Sequence, residues 1–175
     1  KPYNILAVTF TNKAAKEMQH RLHTLLGDKI KHYPVMGTFH SLCVQILRRE
    51  IELLGYNKRF VIYDANDTES LIKKVMKDQG LDTKVIAPGL MKHIISQAKN
   101  QLQSPSDFAV EASDVMDRTA AQVYETYQAA LKEHNALDFD DLLLETVRLF
   151  HEVPAILDRY QETWRYLHVD EYQDT

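Results

Sequence analysis

Hydrophobic and polar positions follow two different periods along the chain, and each period predicts a different element. The run Ile5–Val8 is continuously apolar, which is typical of a strand buried on both faces of a parallel sheet. The next segment repeats apolar residues at helical spacing, at Ala15, Met18, Leu22 and Leu25. This spacing predicts a helix from about Lys13 to Leu26. Thr11 or Asn12 can cap its start, and Gly27 can end it.

The same order of strand, turn and helix occurs a second time. Val35–Thr38 predicts another short strand, and a helix follows it as far as Gly55. Its apolar face consists of Leu42, Cys43, Ile46, Leu47, Ile51 and Leu54. Both strands end in a Thr-Phe pair, Thr9-Phe10 and Thr38-Phe39. If the strands are neighbours, these turns lie side by side at the edge where open α/β sheets bind ligands.

Between residues 66 and 136 the pattern is helical, with no run that predicts a strand. Four helices are expected there. Their predicted starts are Asn66, with Glu69 at capping-box spacing, then Pro88, Pro105 and Ser113. We interpret this stretch as a helical insertion within an α/β domain.

A final strand, from about Arg165 to Val169, leads into two adjacent acids, Asp170 and Glu171. A buried apolar strand that ends in two carboxylates is how a P-loop nucleotidase presents a Mg²⁺-associated Asp and a base for the attacking water. From the residues alone, an exposed acidic strand end explains the pair equally well.

A second acid cluster precedes another predicted helix and comprises Asp138, Asp140 and Asp141. A metal-dependent nuclease would need such carboxylates to converge on one ion. Acids in a first helical turn are also favoured as caps and by the helix dipole. We favour the capping interpretation. The histidines offer no alternative metal site, since His20 and His23 match no zinc-binding spacing.

Charge is unevenly distributed along the chain. Residues 1–60 hold ten Lys and Arg against four Asp and Glu, whereas the whole chain has a net charge of −4. A basic first third is compatible with a polyanion-binding face. Phe10 and Phe39, beside Thr, Asn and Lys, are then either core residues over their helices or rings that stack on bases.

The cysteine content and the hydropathy of the chain indicate the cellular compartment. The single cysteine, Cys43, excludes an internal disulfide and fits a core position in a reducing compartment. No window approaches 18 uninterrupted apolar residues, and the first residues lack the features of a signal peptide. We therefore expect a cytoplasmic location without a membrane partner.

Four segments in fixed order resemble the motifs of UvrD/Rep/PcrA-type superfamily 1 DNA helicases, across essentially all 175 residues. Thr9–Met18 resembles motif Ia, Gly37–Leu42 motif Ib, and Asp170–Thr175 motif II, the Walker B box. Leu137–Leu142 is similar to the segment by which those chains return from a helical insertion.

The resemblance implies an incomplete P-loop, RecA-like parallel-sheet domain with a large all-helical insertion, predominantly helical overall. Residues 1–43 and 137–175 would form the partial ATPase domain, and residues 44–136 the inserted subdomain. The complete parent would be an ATP- and Mg²⁺-dependent helicase that moves 3′ to 5′ on single-stranded DNA in replication or repair. Its partners would be single-stranded DNA, junctions with duplex, and the remaining helicase domains.

The resemblance also implies roles for individual residues. Asp170 would associate with the metal, Glu171 would polarise the attacking water, and Gln173 would link the nucleotide site to neighbouring motifs. The single-strand track would be lined by Phe10, Thr11, Asn12, Thr38, Phe39 and His40.

The phosphate loop Gly-x-x-x-x-Gly-Lys-Thr/Ser does not occur in the chain. We therefore expect these residues alone neither to hydrolyse ATP nor to hold a cofactor tightly. Two alternatives stay open: a non-catalytic module that binds DNA or protein, and the motor piece of a helicase–nuclease.

Overall fold

The computed structural model describes residues 1–27 and 32–174, and the chain divides into two compact units. The sheet unit comprises Lys1–Arg49 and Thr146–Thr175, and the helical unit comprises Glu50–Glu145. Helices dominate the described residues and a small parallel sheet accompanies them. The predicted helix-rich α/β class is therefore confirmed.

The strands of the described residues are β1 (Ile5–Thr9), β2 (Val35–Thr38), β3 (Val61–Ile62), β4 (Ala136–Leu137) and β5 (Tyr166–Val169). The α-helices are α1 (Asn12–Leu26), α2 (Phe39–Glu50), α3 (Ala65–Asp78), α4 (Pro88–Asn100), α5 (Pro105–Glu111), α6 (Val115–Glu133), α7 (Phe139–Glu152) and α8 (Pro154–Thr163). Short 3-10 helices span Pro2–Asn4, Ile51–Leu54 and Tyr172–Asp174.

The sheet unit is built around β1. Its strands run parallel in the order β2-β1-β5, so β1 pairs on both sides. Its side chains from Leu6 to Thr9 are buried, as the continuous apolar run predicts. Thr11 caps α1 by accepting a hydrogen bond from the Ala14 N–H at 3.1 Å, and Gly27 ends the helix with φ 47°.

Of the two alternatives left open for the last strand, the structure has the exposed one. Tyr166 and Leu167 of β5 are 60% and 65% exposed, and Val169 alone is partly buried. The physical reason is position, because β5 lies at the edge of the described sheet and pairs with β1 on one side. An apolar run cannot distinguish a covered strand from an edge strand.

The helical unit has its core between α3, α4 and α6, around the fully buried rings of Tyr124 and Tyr127. Two predicted caps are wrong by one or two residues. Asp64, not Asn66, is the N-cap residue of α3 and forms a capping box with Asp67. Asp114, rather than Ser113, caps α6. Short parallel pairing of β3 with β4 was not predicted, because two residues leave no periodic pattern.

A buried ionic cluster joins α4 to the start of α7. The ammonium of Lys99 lies 2.7 Å from Asp138 Oδ2 and 2.7 Å from Asp141 Oδ1, with its side chain fully buried. Asp141 N–H donates to Asp138 Oδ1, and Asp138 N–H donates to Asp141 Oδ2, which is a reciprocal helix cap. The capping interpretation of these two acids is therefore confirmed, and Lys99 is an unpredicted partner.

Two side chains of α6 complete the cluster. Tyr127 OH donates to Asp138 Oδ2 at 2.8 Å, and Gln128 Nε2 donates to Asp141 Oδ1 at 3.0 Å. Each carboxylate consequently accepts three hydrogen bonds, which compensates for much of its lost hydration. A nuclease-type metal site would compete with this arrangement, since Lys99 occupies the space between the acids.

The two acids that share Lys99 have pKa values shifted in opposite directions. Burial alone would lower the pKa of Lys99, but the two carboxylates outweigh it and raise that pKa. Burial opposes ionisation of Asp138, yet the charge and hydrogen bond of Lys99 hold its pKa below the ordinary value. For Asp141, burial dominates over the attraction of Lys99 and raises the pKa to about 7.

Replacing Lys99 with Met tests the cluster at nearly constant volume. Two buried carboxylates then lose the cation that both contact, and we expect the free energy of unfolding to fall by about 3–5 kcal/mol. Urea unfolding of the chain, followed by circular dichroism, measures the change. The exposed Lys77 of α3 is the matched control, and its Met variant should change stability by less than about 0.5 kcal/mol. Equal effects of the two substitutions would contradict the assigned contribution.

The raised pKa of Asp141 predicts a pH dependence with a definite sign. The folded chain holds a proton that the unfolded chain releases, so this contribution is present at lower pH and disappears as pH rises through about 7. Between about pH 5 and pH 8, wild-type stability should fall relative to Asp141→Asn by roughly 1–3 kcal/mol. Titration of Asp138 lies below that window. A constant difference between the two proteins would contradict the assignment.

Candidate functional site

Three parallel strands end at one edge of the sheet unit. Thr9 of β1 is level with Thr38 of β2, and Val8 is level with Val169 of β5. The Asp170 N–H donates to the Val8 carbonyl at 2.9 Å, which extends the pairing by one residue. The segments that follow β1, β2 and β5 therefore begin at the same edge, which we call the carboxyl edge.

The two Thr-Phe turns lie side by side on this edge, as expected from neighbouring strands. The ring centroids of Phe10 and Phe39 are 5.3 Å apart, and the rings are tilted by 50°. This separation is within the range of a favourable aromatic pair. Phe10 is 39% exposed and Phe39 is partly buried, so the pair packs internally while still presenting ring surface to solvent.

Polar side chains flank the aromatic pair. Thr11 and Asn12 are exposed at the start of α1, and His40 is partly buried in the first turn of α2. Thr38 is buried, and its Oγ1 accepts a hydrogen bond from the Ser41 N–H. Helices α1 and α2 thus both begin beside the rings. Helix amino termini favour anions such as phosphates.

The acid pair occupies the third strand end of the carboxyl edge. Asp170 and Glu171 are both exposed, and the Glu171 N–H donates to Asp170 Oδ1 at 3.1 Å. Glu171 has φ 52°, a left-handed conformation that a non-glycine residue adopts at some cost. Gln173 is exposed on the following 3-10 turn, and Thr175 of the predicted motif lies outside the described residues.

A polar cavity of about 190 Å³ opens beside Asp170. Its other walls come from α1 and include the ion pair between Arg21 and Glu17. Asp170 therefore lies at a concave surface that already contains a cation. The carboxylate is accessible to solvent and to a ligand at this surface.

The acid pair fits Mg²⁺ better than a metal that needs a complete protein cage. Mg²⁺ takes oxygen ligands, retains several waters and is often held by one or two carboxylates together with substrate phosphates. Within residues 1–27 and 32–174, no group of three or more His, Cys, Asp or Glu residues converges as a metal site. The donor set at Asp170 and Glu171 agrees with that mode of binding.

Two further residues of the carboxyl edge, Thr9 and Ser41, were not among the predicted site residues. Thr9 is fully buried, and its Oγ1 has no hydrogen-bond partner among the described residues. The Ser41 hydroxyl accepts a hydrogen bond from the Thr38 N–H and donates one to the Thr38 carbonyl. The spacing of Thr38 and Ser41 is that of a capping pair, so pattern analysis could have identified Ser41. Nothing in the sequence marks the Thr9 hydroxyl.

Comparison with known proteins covers the whole chain. The family model described as the UvrD/REP helicase N-terminal domain matches residues 1–175. The ATP-dependent DNA helicase PcrA of Staphylococcus aureus (strain Mu50) is 47% identical over 174 residues, which is 99% of this chain and 24% of that protein. PcrA of Staphylococcus epidermidis (strain ATCC 35984) is 48% identical over 174 residues. The chain spans about a quarter of the length of these relatives.

None of the helices in the described residues is both long enough and apolar enough to cross a bilayer.

Proposed function

The chain belongs to the family of UvrD/REP helicase N-terminal domains, and on that premise we propose that it forms part of the motor of an ATP-dependent DNA helicase. The observation that carries the proposal is the carboxyl edge, where an exposed acid pair and an aromatic pair follow adjacent parallel strands. One side of the edge would serve the nucleotide, and the other would serve single-stranded DNA.

The DNA side would use the two Thr-Phe turns. Phe10 and Phe39 present ring surface on which bases can stack, whatever their sequence. Thr11, Asn12 and His40 stand beside the rings at two helix amino termini, and the buried Thr38 directly precedes the second of these helices. Such groups bind backbone phosphates and hold a strand without reading its bases.

The nucleotide side would use the acid pair. Asp170 would contact the coordination shell of Mg²⁺, and Glu171 would accept a proton from the attacking water. Bound Mg²⁺ supplies neutralisation of the negative charge on the phosphates. Gln173 would connect this site to neighbouring segments. The accessible carboxylate of Asp170 and the adjacent cavity support this assignment.

Other parts of the proposal rest on family membership alone. They are 3′ to 5′ movement on single-stranded DNA, action at duplex junctions in replication or repair, a cytoplasmic location, and contact with further helicase domains. The assignment of residues 44–136 as an inserted helical subdomain is likewise a proposal. Because residues 1–175 contain no phosphate-loop motif, we expect a polypeptide of these residues alone not to hydrolyse ATP.

Replacing Phe10 with Ala in the complete protein tests the DNA side. Loss of one stacking ring is worth about 1–3 kcal/mol, so affinity for a fluorescent oligothymidine should fall roughly 5- to 150-fold. Fluorescence anisotropy measures the affinity. Basal ATP hydrolysis should fall much less than DNA affinity, and His40→Ala should behave in the same direction.

Tyr3→Ala is the matched control for the ring. Tyr3 is 44% exposed, close to the value for Phe10, and it precedes β1 rather than following it. Its replacement should leave DNA affinity unchanged. Equal losses in the Phe10 and Tyr3 variants would count against a DNA track at the carboxyl edge.

Replacing Glu171 with Gln in the complete protein tests the nucleotide side. A general base contributes roughly 10²- to 10⁴-fold, so DNA-stimulated hydrolysis should fall by a factor in that range while ATP affinity stays intact. Steady-state hydrolysis and equilibrium nucleotide binding measure the two quantities. Glu162→Gln, at an exposed position of α8, is the control. Near-normal turnover in the Glu171 variant would remove Glu171 from its proposed role.

A further inference from the structure

The turn between β2 and α2 is tied together by the side chain of Ser41. Its hydroxyl accepts a hydrogen bond from the Thr38 N–H at 2.9 Å and donates one to the Thr38 carbonyl at 2.8 Å. In return, the Ser41 N–H donates to Thr38 Oγ1 at 3.2 Å. Three hydrogen bonds thus join the residues on either side of Phe39 and His40.

This arrangement requires the absence of a side chain at position 37. A Cβ built on Gly37 would lie 2.5 Å from Ser41 Oγ, closer than real Cβ atoms approach such an atom. The same Cβ would lie 3.8 Å from Ser41 Cβ, which is an ordinary contact. Gly37 does not have the positive φ of Gly27 or Gly55. The requirement at position 37 is therefore space for the Ser41 hydroxyl, not backbone freedom.

The tied turn is fixed relative to the sheet. Thr38 is level with Thr9 in the parallel ladder and is buried, so one end of the turn cannot shift without breaking sheet pairing. Phe39 follows Thr38 directly and contacts the ring of Phe10. In the turn after β1, the described side-chain cap is one hydrogen bond, which the Ala14 N–H donates to Thr11 Oγ1. Of the two Thr-Phe turns, the second is consequently the more constrained.

We infer that Ser41 is a positioning residue for nucleic-acid binding, and that Gly37 provides the space it needs. Ser41 itself does not bind the DNA, because its hydroxyl is engaged with Thr38 of β2. It fixes the direction in which Phe39 and His40 leave the sheet. The inference rests on the proposed function of the carboxyl edge, since it names the residue that holds one half of that DNA-binding surface in place.

A purely structural role for Ser41 predicts a different result from a positioning role. If Ser41 only stabilised the start of α2, its loss would lower the thermal midpoint and leave the DNA affinity of the folded protein unchanged. Loss of a positioning residue would instead raise the DNA concentration needed for half-maximal stimulation of ATP hydrolysis, with a smaller effect on the maximal rate. The two roles are therefore separable by measurement.

The test uses the complete protein and four variants: Ser41→Ala, Ser41→Thr, Gly37→Ala and the double variant Gly37→Ala/Ser41→Ala, with Phe10→Ala and Phe39→Ala measured beside them. Affinity for a fluorescent oligothymidine, DNA-stimulated hydrolysis and the thermal midpoint are measured for each. Loss of the ties in Ser41→Ala should weaken DNA affinity roughly 5- to 30-fold. Ser41→Thr keeps the hydroxyl and should bind DNA nearly as the wild type does.

The Gly37 variants test the geometry directly. Gly37→Ala should weaken DNA affinity by displacing Ser41 Oγ, whereas the double variant should be no weaker than Ser41→Ala, because the close contact is then gone. Thr24→Ala is the matched control, since Thr24 Oγ1 donates to the His20 carbonyl far along α1. That variant should bind DNA normally.

Each remaining outcome has a definite meaning. Unchanged DNA affinity in Ser41→Ala, together with a weakened Phe39→Ala variant, would overturn the positioning role and leave the proposed function standing. Unchanged affinity in both Phe10→Ala and Phe39→Ala would overturn the proposed function itself. Failure of Ser41→Thr to restore affinity, or additive losses in the double variant, would also overturn the inference.

Discussion

Parallel pairing on both sides of β1 is the constraint on which the candidate site depends. It brings the ends of three strands to one edge, although Thr9, Thr38 and Asp170 are widely separated in sequence. Burial of β1 from Leu6 to Thr9 makes this pairing hard to shift. A slip of one residue would exchange its side chains between the two buried faces and move the two Thr-Phe turns out of register. The chemistry of the edge therefore follows from the packing of one short strand.

The helical unit contains a different kind of interaction beside its apolar core. Lys99, Asp138 and Asp141 form a buried ionic cluster between α4 and α7, completed by hydrogen bonds from α6. Such clusters often add little net stability over apolar residues of the same volume, but removing one member is costly. Asp138 and Asp141 thus act as reciprocal helix caps and as partners of Lys99.

The sequence predicted the parts of this molecule that depend on local pattern. Apolar runs and helical spacing located β1, β2 and α1, and the rule that parallel strands end at one edge placed Phe10 beside Phe39. Caps were less predictable, since Asp64 and Asp114 compete with neighbouring Asn66 and Ser113 for the same role. Lys99 could not be assigned, because its partners lie about forty residues away and helical spacing does not report contacts between helices. The exposure of β5 depends on what packs beside it, which its own residues do not specify.

The central claim is that both Thr-Phe turns of the carboxyl edge bind single-stranded DNA. Hydrogen–deuterium exchange of the complete protein, with and without an oligothymidine, tests it most directly, because local opening of backbone amides is slowed where a ligand is bound. Slower exchange in residues 9–12 and 38–41, with no change in α5 of the helical unit, is the predicted result. Unchanged exchange in both turns at saturating DNA would contradict the claim.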